Sequence, residues 1–116
     1  MRLNNNEIKI KAWEKISQYI DSDDNDFNNS ACSFRIAKNY NLAVWCETCY
    51  EEEEEPRCFV VSIRYNTDDD LFGRDIAMDY CTKNTNRYEL DKAIDYLLNE
   101  FEKNTNGFNK YFLPYQ

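Results

Sequence analysis

Residues 31–50 read ACSFRIAKNYNLAVWCETCY, and this stretch decides the fold. Cys32, Phe34 and Ile36 fall on one side of an extended chain, with Ser33 and Arg35 on the other. A period of two is the mark of a strand with one buried face. Lys38-Asn39-Tyr40-Asn41 interrupts it with the composition of a hairpin turn. Beyond the turn, Leu42, Val44 and Cys46 share one face with Thr48 and Tyr50, and Ala43, Trp45 and Cys49 take the other. Two antiparallel strands therefore begin a sheet.

Downstream, five consecutive glutamates, Glu51, Glu52, Glu53, Glu54 and Glu55, and then Pro56 break the second strand. Residues 57–65 resume the alternation, with Phe59, Val61, Ile63 and Tyr65 on one face and Val60 and Ser62 on the other. Asn66-Thr67-Asp68-Asp69-Asp70 reads as the next turn, and residues 75–81 as a fourth strand, with Ile76, Met78 and Tyr80 against Ala77, Asp79 and Cys81. No helical segment separates these strands, which predicts an antiparallel meander.

The flanks change period. Over residues 6–20, Ile8, Ala12, Trp13, Ile16, Tyr19 and Ile20 recur at helical spacing. Asn4 or Asn6 caps the start, and Asn4-x-x-Glu7 has the form of a capping box. Asp21, Asp23, Asp24 and Asp26 crowd the segment after it. Negative charge opposes a helix C-terminus, so a polar loop is expected there. Residues 87–103 carry the stripe Leu90, Ala93, Ile94, Leu97, Leu98 and Phe101 behind a second box, Asn86-x-x-Glu89, and Asn106-Gly107 is a stop signal. The aromatic tail from Phe108 to Gln116 is expected to pack back on the domain. The fold class is thus α+β, an antiparallel four-stranded meander with N-terminal and C-terminal helices packed on one face. A length of 116 residues gives one compact domain over 1–116, and with only two Gly and two Pro there is no linker composition to divide it.

No apolar run approaches the roughly 20 residues of a membrane helix. Met1-Arg2-Leu3-Asn4-Asn5-Asn6 lacks the pattern of a secretion signal, so a cytoplasmic protein is expected. Five cysteines, an odd number, fit reduced thiols better than a disulfide framework. Cys46-Glu47-Thr48-Cys49 is a CxxC, and with Cys58 and Cys81 it offers four thiolates for zinc. Against that, Cys46 and Cys49 point to opposite faces of a strand, no turn residue lies between them, and the chain has no His. Buried core thiols, with no cofactor, are the expectation.

Catalysis is also disfavoured. The commonest general base is missing, because the chain has no His. Asp75 and Asp79 share a strand face without forming a shielded pair, and Glu7-Ile8-Lys9 has a nuclease-like spacing with no upstream Asp. Gly73 and Gly107 are the only glycines, so no phosphate-cradling loop exists. The chain is expected not to be an enzyme.

Charge is the strongest signal. The net charge is −8, and its placement is uneven: residues 1–20 balance at +2, residues 21–79 at −10 and residues 80–116 at zero. The middle holds three clusters, Asp21/Asp23/Asp24/Asp26, Glu51–Glu55 and Asp68/Asp69/Asp70. This sign opposes direct contact with nucleic acid or an anionic membrane. Solvated turns explain one cluster readily, but five adjacent glutamates repel one another at a cost to the fold. Trp45, Tyr50 and Tyr65 stand near the acids in sequence, and aromatic anchors in a charged rim suit a protein interface. In a meander the Asp21 and Glu51 groups can share one end of the sheet. The loops after the second and third strands lie at opposite ends. The expected partner is a basic protein, such as a nucleic-acid-binding enzyme.

In size and composition alone, the chain resembles short, acidic, Asn- and Tyr-rich α+β proteins of phages and mobile elements. Anti-CRISPR and anti-restriction inhibitors are among them. No residue role carries over from that likeness. It implies an inhibitor in a host cell's cytoplasm that occludes the basic nucleic-acid-binding surface of a defence nuclease by imitating a phosphate backbone. The alternatives are a toxin immunity protein or acidic secretion chaperone, a Cys-liganded zinc module, and a homodimer or larger homo-oligomer packed through the uncovered sheet face.

Overall fold

The computed structural model describes residues 3–37, 40–48, 57–65 and 74–103. Helix α1 spans Asn5–Ile16. Its start is the expected reciprocal cap: Asn4 Oδ1 accepts the Glu7 N–H at 2.9 Å, and Asn4 Nδ2 donates to Glu7 Oε1 at 2.6 Å. Ile8, Ala12 and Ile16, four residues apart, turn one stripe into the core. The helix expected to reach residue 20 tightens into a 3-10 turn over Ser17–Tyr19 instead.

Asp21–Asp26 is not simply a loop. A short helix, α2, runs over Asp24–Asn28, and Asp23 Oδ1 caps it by accepting the Asp26 N–H at 2.9 Å. The carboxylates that disfavour continuing α1 favour starting a new helix, because the sign of the helix dipole reverses between its two ends. Phe27 anchors α2 and is fully buried.

Four strands follow: β1 Ala31–Ala37, β2 Tyr40–Thr48, β3 Arg57–Tyr65 and β4 Arg74–Cys81. Their order is β1-β2-β3-β4, with every pair antiparallel, and helix α3 then covers Arg87–Lys103. Asn86 caps α3 as expected, its Oδ1 accepting the Glu89 N–H at 2.8 Å. Tyr40, expected in a turn, belongs to β2, and the β1–β2 register slips by one residue between Arg35 and Ala37.

One face of the sheet carries the core. Phe34, Ile36, Leu42, Val44, Phe59, Val61 and Ile63 meet the stripes of α1 and α3 and the ring of Phe27. Each such side chain taken from water contributes roughly 1.5–3 kcal/mol, which fastens both terminal helices to the same face. Lys9 and Asp95 join α1 to α3 at 3.2 Å, and Tyr40 meets Phe101 edge-on at 4.9 Å between ring centroids. The other sheet face follows the opposite parity, with Trp45, Val60 and Cys81 in one row and Ala43, Ser62 and Asp79 in the next. Among the described residues, no helix is long and apolar enough to cross a membrane. The stop signal at Asn106-Gly107 and the tail from Phe108 lie outside the described residues.

Candidate acidic interface

Of the three acidic clusters, the one around α2 lies among the described residues. Asp21, Asp23, Asp24 and Asp26 are all exposed. Phe27 presses α2 against the end of the sheet, and Asn28 Oδ1 accepts the backbone N–H of Thr48, the last residue of β2, at 2.9 Å. Arg57, the first residue of β3, completes the junction. Its guanidinium lies over the Phe27 ring at 4.4 Å, donates through Nη1 to the Ile20 carbonyl at 2.9 Å, and donates through Nη2 to Asp24 Oδ1 at 2.7 Å. Thr48 and Arg57 bound the segment 49–56. Both bounds of the segment that carries Glu51–Glu55 therefore lie beside the Asp21–Asp26 group.

Tyr50, Glu51, Glu52, Glu53, Glu54, Glu55, Asp68, Asp69 and Asp70 lie outside the described residues. The bounds of 66–73 are Tyr65 and Arg74, which pair with each other at the other end of the sheet, where Tyr65 also pairs with Tyr40. Eight residues along β3 separate Tyr65 from Arg57, roughly 25 Å at strand spacing. The frame thus brings Asp23, Asp24 and Asp26 together with the bounds of the glutamate segment, and sets the bounds of the Asp68–Asp70 segment far away, with Tyr65 among them.

Trp45 occupies the sheet face opposite α2, three residues before Thr48. Its Nε1 donates to Glu47 Oε1 at 2.9 Å, and the Arg64 guanidinium lies 5.3 Å from its ring centroid. With Ala31, Ser33, Ala43 and Arg64 it lines a shallow groove of about 420 Å³, floored by small side chains. A second, more polar groove of about 480 Å³ runs between the 3-10 turn and α2, past Gln18, Ser22, Asp26 and Asn29. Asp24 and Trp45 therefore flank the end of β2 from its two sides. Exposed carboxylates of this kind supply field and hydrogen-bond acceptors to cations of a partner, and the indole supplies apolar area.

The thiols divide by strand parity. Cys46 pairs with Phe59 on the core face, where burial, with a smaller push from Cys32, raises its thiol to about 12 against the pull of Arg57. Burial also raises Cys32, opposed by Lys15 and a backbone hydrogen bond at Val44. Cys58 and Cys81 lie on the other face, with sulfurs 3.4 Å apart. A set of Cys46, Cys58 and Cys81 cannot close around one ion through the sheet, and Cys49 lies outside the described residues. Among the described residues, no group of three or more metal-binding side chains comes together.

Sequence reasoning missed two parts of this site. One is α2, signalled only by the capping pattern Asp23-x-x-Asp26. The other is Arg57, a lone cation at a strand start that ties the acidic end together. No protein-family model, no curated protein and no solved structure matches this chain.

Proposed function

We propose that this chain is a protein-binding inhibitor that docks its acidic end on a basic surface of a partner, of the kind enzymes use to hold nucleic acid. The observation that carries the reading is the junction of Asn28 with Thr48 and of Asp24 with Arg57, which sets the exposed aspartates beside both bounds of the five-glutamate segment. Residues 21–79 carry ten more acidic than basic side chains, an excess that remains after every cation of the segment, Arg57 included, is counted. Such a field speeds encounter with a basic partner and selects against acidic ones. Trp45, on the far side of the β2 end, is the aromatic anchor. Inhibition follows from occupancy, with no bond made or broken.

The test is capture. A lysate is treated with nuclease, its heparin-binding fraction is isolated, and that fraction is passed over the immobilised protein. The expected result is retention of a nucleic-acid-binding protein that added DNA or RNA displaces. The Glu52→Lys, Glu53→Lys, Glu54→Lys triple variant retains roughly tenfold less of it or worse. Equal retention by the variant contradicts the reading. Capture of a toxin or secreted effector that binds no nucleic acid moves the function to an immunity protein or secretion chaperone that uses the same acidic end.

A further inference from the structure

Cys58 in β3 and Cys81 in β4 bring their sulfurs to 3.4 Å on the sheet face away from the helices. Cys81 pairs in register with Val60, so Cys58 is its diagonal neighbour. The residues between them are fixed: the Phe59 N–H donates to Thr82 Oγ1 at 2.9 Å, the Thr82 N–H donates to the Phe59 carbonyl at 2.9 Å, and Thr82 Oγ1 donates to the Asn84 carbonyl at 2.8 Å. The two thiols are therefore held in contact by the strand end itself. They also differ in access, since Cys81 is exposed and Cys58 is only 2% exposed. A bond of about 2.05 Å needs the sulfurs to close by roughly 1.4 Å, a movement within reach of side-chain rotation at the end of an edge strand.

We propose that Cys58 and Cys81 form a reversible dithiol–disulfide site whose oxidant is a low-molecular-weight disulfide. The Cys81 thiolate, reached from solvent, attacks one sulfur of the disulfide, forms a mixed disulfide and expels one thiolate. Cys58 then loses its proton to water and attacks the Cys81 sulfur, expelling the second thiolate. Two protein thiols are oxidised by two electrons, and one small disulfide is reduced to two thiols. The product fixes edge strand β4 covalently to β3, one residue from Arg57. Cys32 and Cys46 stay out of the exchange because they lie on the opposite, core-side face of the sheet, where burial raises both thiols.

The test is a thiol map of the folded protein. Reduced protein, freed of reductant, is exposed to oxidised glutathione, alkylated and cut with trypsin, which releases Cys58 within residues 58–64 and Cys81 within residues 75–83. The expected result is these two peptides joined, roughly tenfold or more above the level in Cys81→Ser, while Cys58→Ser stops at a glutathione adduct on Cys81. Three results overturn the proposal: a lasting adduct on Cys81 in the parent protein, Cys81 joined instead to residues 39–57, or both thiols recovered alkylated.

Discussion

The guanidinium of Arg57 rests 4.4 Å from the centroid of the Phe27 ring. Through that one stack the first residue of β3 holds down a five-residue helix too short to be stable by itself. The same guanidinium closes on the Ile20 carbonyl and on Asp24, so the lead-in to α2, its first residue and its apolar anchor all meet one side chain.

Arg57→Ala should therefore cost about 1–3 kcal/mol, because it removes both a charged hydrogen bond to a carbonyl and a cation–π stack. Asp24→Ala should cost less than about 1 kcal/mol, because its side chain is 62% exposed and water screens the pair. Urea unfolding of both variants checks the ranking, and a larger loss for Asp24→Ala contradicts it.

Asp23 joins a structural role to an electrostatic one, and substitution separates them. Asn caps a helix about as well as Asp, whereas Ala does not, so Asp23→Ala should lose about 0.5–2 kcal/mol and Asp23→Asn almost nothing. Partner binding should weaken in both, since both remove the charge. Thermal unfolding alongside binding reads the two effects apart.

The pairing of core and surface residues on α3 gives a third contrast. Leu97 is 1% exposed and Tyr88 is 71% exposed. Leu97→Ala should cost about 2–5 kcal/mol by opening a cavity under the sheet. Tyr88→Ala should stay within about 0.5 kcal/mol, even though Lys92 lies 6.0 Å from its ring. Denaturant midpoints of the two variants measure the difference.

Cys46 makes the protein sensitive to alkali. Burial raises its thiol from 9.0 to about 12 in the folded state, so above pH 9 the unfolded chain gives up a proton that the folded chain keeps. Stability from this group is complete below pH 9 and falls as pH rises toward 12, by up to about 1.4 kcal/mol per pH unit. Cys46→Val should flatten the stability profile over that window. The check is equilibrium unfolding at several pH values, and parallel profiles for parent and variant refute the assignment.

Much of the frame was legible in residues 57–65 and 87–103, whose bounds the structure reproduces, because each keeps one period without interruption from cap to end. The helix α2 was not legible, since Asp23-Asp24-Asn25-Asp26 has the composition of a loop and only one apolar residue, Phe27, marks a buried side. The Cys58–Cys81 contact was hidden for another reason. It depends on the β3–β4 register, which shifts between Ser62 and Arg64, so the spacing of the two cysteines in the chain carries no signal of it. For the acidic end, the sequence supplied the charges and the meander supplied the possibility of a shared end. The bond from Thr48 to Asn28 and the reach of Arg57 to Asp24 are tertiary facts, set by how α2 folds back.

The most direct measurement is the association rate constant with the captured partner as ionic strength rises from about 0.05 to about 0.5 M. Attraction between a negative end and a positive surface predicts a fall of roughly tenfold or more, with the dissociation rate changing far less, and a much shallower dependence after Glu52, Glu53 and Glu54 are reversed to Lys. An association rate indifferent to salt, or a salt dependence untouched by that reversal, contradicts an acidic docking surface.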